Sequence, residues 1–479
     1  MTIKYAIIIA EQVVKQFAKS RNTRGLFAFF IIFLGFALQI GVQEMLNHQE
    51  LAEHYSQEVR QRWEANPDKH PHRMAHYGYV AFRQKFPLSF FDFGMDAYTG
   101  KSVFLEAHKQ NTVNFSEAGH SSSLLRFGQI SAAMILQILV PLFLFFLGYD
   151  LIAKEREQGI LKLLFTQGIS WQTLILGKTV GLFLASLFIL LPTALFGLVL
   201  LLSNAFEMDI LLRYGLLILA YTVYFFIISL MAVLVSAQSQ TAKSSLMKLI
   251  GCWLFLILIL PRIAQVTGQN VYPAPSKIEF DKNVEAELIK QGDSHNPDDL
   301  HYKAFKDSVM KAYGVDSTHK LPFNYSGLVM KEGEKLSAET YNRHQARLIE
   351  IYENQQNVLR LTAFFNPFIA VKNISMALTG TDFYTFNDFQ AQAEKFRYQL
   401  AQTMNELQIK HISNRVKNSA DKKAKLDRQE WVNFPDFKHH FLSIQSALDA
   451  EKVSFAALFF WIMLLFFPIR YANQWFKII

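Results

Sequence analysis

Six runs of nearly charge-free residues, each long enough or almost long enough to cross roughly 30 Å of hydrocarbon, limit this chain more than any other feature. Inside lipid an unpaired backbone N–H or C=O has no partner, so such a run must form a helix. The runs fall at 26–46 ("LFAFFIIFLGFALQIGVQEML"), at 129–152, three times within 176–266 (about 176–202, 210–236 and 246–266), and at 454–471. A dozen Leu, Ile, Phe and Val per run, each favouring insertion by about 0.3 to 0.6 kcal/mol, outweigh the occasional Gln or Gly. The whole chain agrees: 51% of it is hydrophobic and 44 residues are Phe. The fold class is therefore expected to be an all-α polytopic membrane protein.

Orientation follows from Lys and Arg beside the span ends. Lys15, Lys19, Arg21 and Arg24 precede the first run, which puts the N-terminus in the cytoplasm. Segment 153–175 is then cytoplasmic, and it lies among Lys154, Arg156, Lys162 and Lys178, whereas "SNAFEMD" is outside and holds only acids. Six crossings return the tail, 472–479, to the cytoplasm. The expected location is the inner (cytoplasmic) membrane. No small-residue cleavage site follows the first apolar run, so no removable signal peptide is expected.

Two hydrophilic stretches, 47–125 and 267–453, are then extracytoplasmic, or periplasmic, and large enough to fold as one helix-rich domain built from two insertions. The single cysteine, Cys252, lies in a span, so that domain relies on packing alone. Phe389, Ala393, Phe396, Leu400, Met404 and Leu407 keep helical steps, with Asn387 and Gln390 spaced as a capping box. A second helix is expected from about Ser337 to just before Asn366-Pro367, and a third over "DLHYKAFKDSVMKAYG". "NPFIAVKNISMALTGTDFY" and "PDFKHHF" read as ordered connections. In segment 1–25, Ile3, Ile7, Ala10, Val14 and Phe17 form an apolar stripe opposite Lys4, Glu11, Lys15 and Lys19. That pattern fits an interfacial helix on the bilayer, with a frayed tail as the alternative.

Catalytic signatures are missing. "LGKT" at 176–179 lacks the Gly that a phosphate loop needs, because Gln172 stands there, and neither a G-x-S-x-G elbow nor an H-E-x-x-H helix occurs. No catalytic residue, cofactor or metal ligand is assigned, and the chain is expected to be non-enzymatic. Glu44, Asp150, Lys178, Lys248 and Arg262 lie near span ends, which argues against an ion-coupled carrier. The net charge of +8 comes largely from span ends, with no basic groove of interleaved aromatics, so nucleic acid is not an expected partner. All 14 His fall in the two hydrophilic stretches, His72 and His76 four apart with His70 nearby and His439-His440 later. A metal site is one reading of them. Hydrogen-bonded structural histidines are the other, favoured by the absence of thiolate ligands there.

Segment 153–175 is the place where energy can enter. "AKEREQG" sets Lys154, Glu155, Arg156 and Glu157 in consecutive positions that can face a soluble partner, and "ILKLLF" supplies an apolar stripe. Gly159 and Gly168 allow a bend at each end of that stripe. The segment reads either as a lever or as a charged loop that fixes topology. Its pattern, E-R-E-x-G…L-L…G…G-K between two spans, resembles the permeases of ABC-2-type transporters. In that family the segment is a coupling helix seated in a separate ATP-hydrolysing subunit. The residues that match are Glu155, Arg156, Glu157, Gly159, Leu163, Leu164, Gly177 and Lys178, with Lys154 and Gly168 in the same segment, although Ile160 stands where Thr is usual and Gly168 where Pro is usual.

"HPHRMAHYGYVAFRQKFPLSFFDFGMDAYTGKSVFLEAHKQN" and "NPFIAVKNISMALTGTD" are similar to a subfamily with a large extracytoplasmic domain of unknown function, related to the permeases for copper-enzyme maturation. The resemblance implies a complex of two permeases, identical or paralogous, with two ABC ATPase subunits in a lipid bilayer, and leaves room for a periplasmic protein partner. A membrane-anchored periplasmic receptor or assembly scaffold, without ATP coupling, is the second reading.

Overall fold

The computed structural model describes residues 2–96, 98–110, 130–204, 207–292, 299–415 and 422–475. The expected boundaries at 125 and 129, Ala205 and Phe206 of "SNAFEMD", and Lys477 lie outside the described residues. Among the described residues, six helices are long and apolar enough to cross a membrane: Arg21–Glu64, Ala132–Glu157, Trp171–Ser203, Met208–Gln238, Ala242–Val271 and Lys452–Arg470. They coincide with the six apolar runs, and the chain is a multi-pass, almost wholly helical membrane protein.

Helix α1 (Thr2–Lys19) lies along the start of a later span. It buries Ala6, Ile9, Ala10, Val13 and Phe17, and leaves Ile3 and Ile7 exposed. Of the stripe expected from the sequence, Ala10 and Phe17 are on the packed face and Ile3 and Ile7 on the open one. Contact is close because the span offers Gly177 and Gly181, where an added Cβ would come within 2.7 Å of Ile9 Cβ and 2.6 Å of Val13 Cβ. Small residues four apart let two backbones approach in this way.

Helix α2 (Arg21–Glu64) starts at Ser20, whose Oγ accepts from the Thr23 N–H, and runs on far past its apolar run. At 1.5 Å per residue its 44 residues span about 66 Å, twice a bilayer core. Its far end carries Trp63, 1% exposed, whose Nε1 donates to the Trp431 carbonyl at 2.8 Å. Arg60 donates to the carbonyls of Phe434, at 2.6 Å, and Val432. After α2 come helix α3 (Pro71–Tyr77) and an antiparallel hairpin of β1 (Tyr79–Phe82) and β2 (Ser102–Leu105), with Tyr79 opposite Leu105.

The next spans are α4 (Val140–Gly148, entered through a π-turn at Ile135–Leu139), α7 (Trp171–Asn204), α8 (Met208–Gln238), and α9 (Ala242–Leu254) continuing into α10 (Leu260–Val271). Between α4 and α7 lie two short helices, α5 (Ala153–Glu157) and α6 (Ile160–Thr166). The second insertion supplies α11 (Lys277–Gln291), α12 (Leu300–Tyr313), α13 (Tyr325–Thr362), α14 (Pro367–Thr379) and α15 (Phe383–His411), before the last span, α16 (Lys452–Arg470).

Three helices of the second insertion depart from their expected form. Helix α13 starts 12 residues before Ser337, where the Asn324 side chain caps it by accepting from the Gly327 N–H. Helix α15 is capped by Asp382, whose Oδ1 accepts from the Thr385 N–H at 3.0 Å, and not by Asn387. "NPFIAVKNISMALT" is not a connection but helix α14, with Asn366 capping it and Pro367 in its first turn. Nearly every residue of α14 is buried, so no polar face marked it as a helix.

Burial separates two cores. The smaller joins both insertions: Trp63 and Tyr79 from the first meet Phe389, Phe396, Leu400, Met404 and Trp431 from the second. The larger is built by the spans, yet it also contains Phe86, Leu88, Phe90 and Phe91 of the first insertion and Phe368, Val371, Ile374 and Leu378 of α14. Gly41 of α2 permits the first of these incursions, since a Cβ there would meet the Phe90 carbonyl oxygen at 2.0 Å. Within the large core, Asp92 Oδ2 accepts from Ser375 Oγ at 2.5 Å and from Gln137 Nε2 at 3.4 Å, and its Oδ1 from the Gly94 N–H at 3.0 Å. Gln137 also donates to Tyr221 Oη at 2.7 Å, and Tyr221 Oη lies 3.1 Å from Ser375 Oγ. Burial pushes the Asp92 carboxyl above its usual range.

Arg213 makes a second knot between spans and insertion. Only 2% exposed, it pairs with Asp209 at 2.8 Å, donates to the Leu442 carbonyl at 2.6 Å, and stands 4.7 Å from the Phe86 ring centre. Asp209 in turn accepts from the Ile444 N–H at 2.9 Å.

Two tests follow from these contacts. Removing the shared acceptor with Asp92→Ala leaves Ser375, Gln137 and the Gly94 amide each with one partner fewer, and should cost about 1 to 3 kcal/mol, whereas Asp92→Asn should cost less. Thermal unfolding in detergent measures both, and equal stability of Asp92→Ala and wild type would refute the node. His439, packed edge-on against Phe389 and Phe441 and accepting from the Gln84 N–H, is held down at about 4 by burial first, then by the charges of Arg83 and His440. An unfolded His titrates near 6.5, so between about pH 6.5 and 4 the unfolded chain binds the extra proton and stability falls as pH falls. Unfolding temperatures measured across that window should drop less steeply in His439→Gln than in wild type.

Candidate coupling site

Two glycines break segment 153–175 into pieces. Gly159 (φ +75°) separates α5 from α6, and Gly168 (φ +84°) ends α6; no atom lies within 4 Å of a Cβ built at either. Their requirement is therefore backbone conformation and not space.

Helix α5 is held from below by Ser236, near the end of α8. Its Oγ accepts from the Ile152 and Ala153 N–H groups at 3.1 and 3.0 Å, and donates to the Tyr149 carbonyl at 2.8 Å. One hydroxyl thus satisfies the amides that open a helix. The four consecutive charges divide by helical phase. Glu155 faces inward and pairs with Lys178 of α7 at 2.5 Å. Arg156 donates to the carbonyls of Ser239 and, at 2.7 Å, Ala237, and lies over the Trp171 ring at 5.8 Å. Lys154 is exposed, 3.9 Å from Asp150. Glu157 is exposed too, and its Oε1 accepts from the Ala242 N–H, at the start of α9, at 3.1 Å.

Helix α6 turns the other way. Leu161 is buried, Leu164 and Phe165 are half-buried against the span core, and Phe165 meets the Trp171 ring at 4.9 Å. Leu163 is 62% exposed and Ile160 39%, flanked by exposed Glu157, Gln158, Lys162, Thr166 and Gln167. At the end of the segment, Gln172 donates to the carbonyl of Arg470, the last residue of α16. Gly177 serves the packing of α1.

The structure thus gathers the expected site residues into one compact element with two roles. Glu155, Arg156, Leu164, Gly177 and Lys178 anchor it inside the protein, while Lys154, Glu157, Gly159, Leu163 and Gly168 lie on its open side. Ser236, Ser239 and Ala242, which tie the element to the end of α8 and the start of α9, lie outside the segment and are not evident from it. The run "SAQSQT" directly after an apolar span was their signal, because hydroxyls and amides at a span end offer caps to a neighbouring turn.

Gly159→Ala forces a side chain into the left-handed region and should destabilise the turn by about 1 kcal/mol. Limited proteolysis should then cut more readily within 157–168, while Gly25→Ala, in an ordinary helical turn with no atom near, should leave cleavage unchanged.

Comparison with known proteins locates this element within a recognised region. Residues 96–268 match the family described as ABC-2 family transporter protein, and residues 277–440 match a domain of unknown function (DUF3526). No curated protein matches the chain.

Proposed function

We propose that the chain, whose residues 96–268 match the ABC-2 transporter family and whose residues 277–440 match a domain of unknown function, is the permease subunit through which ATP hydrolysis on a separate ABC ATPase subunit is converted into movement of that additional domain. The observation that carries this reading is the division of labour in segment 153–175. Its tip, with Leu163, is open for a partner, whereas its base is tied to three spans through the Glu155–Lys178, Ser236 and Glu157–Ala242 contacts. A load applied at the tip therefore reaches the spans without first being absorbed by a loose loop.

Helix α8 is the continuation of that path. It is about 46 Å of unbroken helix, gripped at one end by α5 and along its other half by Gln137, Ser375 and the Arg213 contacts. Tilting of α8 by the ATPase then shifts the additional domain as a packed body. In this reading the tip and both termini are cytoplasmic, the additional domain is periplasmic, and the complex contains a second permease copy or paralogue. The second reading, a receptor or scaffold with a passive loop, is separated from the first by the partner.

The test is to purify the chain from its native membrane and assay ATP hydrolysis and co-purifying subunits for wild type, Leu163→Asp, and Glu157→Lys. An ATPase subunit retained by wild type and lost, or bound at least about tenfold less, by Leu163→Asp supports coupling at the tip. A well-folded wild type with no ATPase subunit overturns it in favour of the receptor. Glu155→Lys is a poor choice for this purpose, since it places two cations together in a half-buried pair and should reduce stability whatever the partner.

A further inference from the structure

Three histidines come together from two parts of the first insertion, packed beside Glu334 and Arg397 of the additional domain. His72 and His76 are one turn apart on the same face of α3, with Nε2 atoms 3.2 Å apart. His108 lies just beyond β2, and the three rings form a triangle with centroid separations of 4.6, 5.5 and 5.3 Å. One ligand nitrogen from each falls within 4.8 Å of the others. A tetrahedral ion with bonds of about 2.05 Å holds its nitrogens about 3.3 Å apart, so closure on an ion requires side-chain shifts of only about 1 Å.

The fold holds His108 in place. The Ala107 N–H donates to the Ala75 carbonyl at 3.2 Å, which pins the loop to α3. His108 has φ +62°, a left-handed backbone uncommon for any residue but Gly, and its N–H and Nδ1 both lie 3.0 Å from Glu334 Oε2. The other oxygen of Glu334 receives Arg397 at 2.6 Å, and Arg397 is also gripped by Glu394 at 2.7 Å. Glu334 and Arg397 are no more than 1% exposed. A carboxylate on Nδ1 fixes the tautomer and ring orientation and assigns the ligand role to Nε2, which is the second-layer arrangement common to metal-binding histidines. Two carboxylates against one guanidinium also leave a net negative charge behind the rings, favourable to a dication.

We propose that His72, His76 and His108 form a binding site for one divalent first-row transition ion, zinc(II) or copper(II), with Glu334 orienting His108. Three imidazoles without a thiolate select this class over copper(I) and over the oxygen-seeking calcium and magnesium. Three protein ligands leave a fourth position open, and because His76 is exposed that position faces solvent, where a water or a donor atom of a partner can complete the shell. The sequence showed the His72 and His76 pair but not His108, 32 residues further on, whose approach depends on the hairpin. The proposal is independent of ATP coupling.

The full chain, purified without a polyhistidine tag and stripped with a chelator, is titrated with cobalt(II) and then zinc(II). The expected result is one cobalt per chain with the intense visible bands of tetrahedral coordination, displaced by one equivalent of zinc. His76→Gln, at an exposed position, should weaken binding at least about tenfold, as should His108→Gln, while His440→Gln leaves it unchanged. Metal-free unfolding temperatures establish that the His76 variant is folded; if His108→Gln unfolds, the His76 and His72 variants decide. No stoichiometric binding by wild type, or affinity unchanged in folded His76→Gln and His72→Gln, would overturn the site.

Discussion

Asp92 is the residue on which the rest of this structure leans. It belongs to a hydrophilic insertion, yet its carboxyl lies in the core of the spans, where an unsatisfied acid would cost far more than it does in water. Ser375, Gln137 and the Gly94 amide supply the donors, and each comes from a different segment: α14, the π-turn leading into α4, and the loop that carries Asp92 itself. Tyr221 of α8 closes the ring. A buried polar group of this kind tolerates few alternative arrangements, because any displacement leaves several atoms unpaired at once. The apolar contacts around it, Phe90, Phe91 and α14, supply burial, but many packings would bury them equally well. The network specifies one.

How much of this the sequence disclosed depends on whether the signal was local. A span is recognisable because its length and lack of charge are imposed by lipid and not by its neighbours, and all six runs reappear as helices. Helix α15 was likewise visible through one apolar face, Phe389, Ala393, Phe396, Leu400 and Met404, turned to a core. Helix α14 carries no such stripe, because it is surrounded by spans and by the Phe86–Phe93 loop; its 13 residues, with Lys372, Asn373, Ser375 and Thr379 among the apolar ones, are too short to suggest a membrane crossing and too evenly buried to show a period. The family match begins at residue 96 and so leaves Asp92 outside it, on the very segment that enters the span core.

The candidate site divides in the same way. That Lys154 to Glu157 and the following Leu-Leu form one short charged-then-apolar unit is readable from order alone. Which charge faces in is not, since consecutive helical residues are turned by about 100° and the phase is set by Ser236 beneath the first turn. Lys178 then selects Glu155, and the bare carbonyls at the end of α8 select Arg156. Gly159 reverses the phase again before α6, and this places Leu163 outward and Leu161 inward, the reverse of a helix stripe held uniformly against the base.

Two rods connect the spans to the additional domain, and their packing assigns them different roles. Helix α2 continues without a break from its span to Trp63, but its apolar window is only 28% buried, so little of the span core bears on it. The corresponding window of α8 is 56% buried and its hydroxyls and Arg213 reach both α14 and the residues before α16. A tilt of α8 must therefore move its neighbours or break buried hydrogen bonds, whereas α2 can pivot at Gly41, where the Phe90 backbone crosses it at close range. On the proposed reading α8 carries the load and α2 acts as the strut that keeps the far core at a fixed height above the membrane. The hairpin and α3 hang from that strut, and with them the three histidines, so their distance from the spans is set by a helix too long to be explained by the bilayer alone.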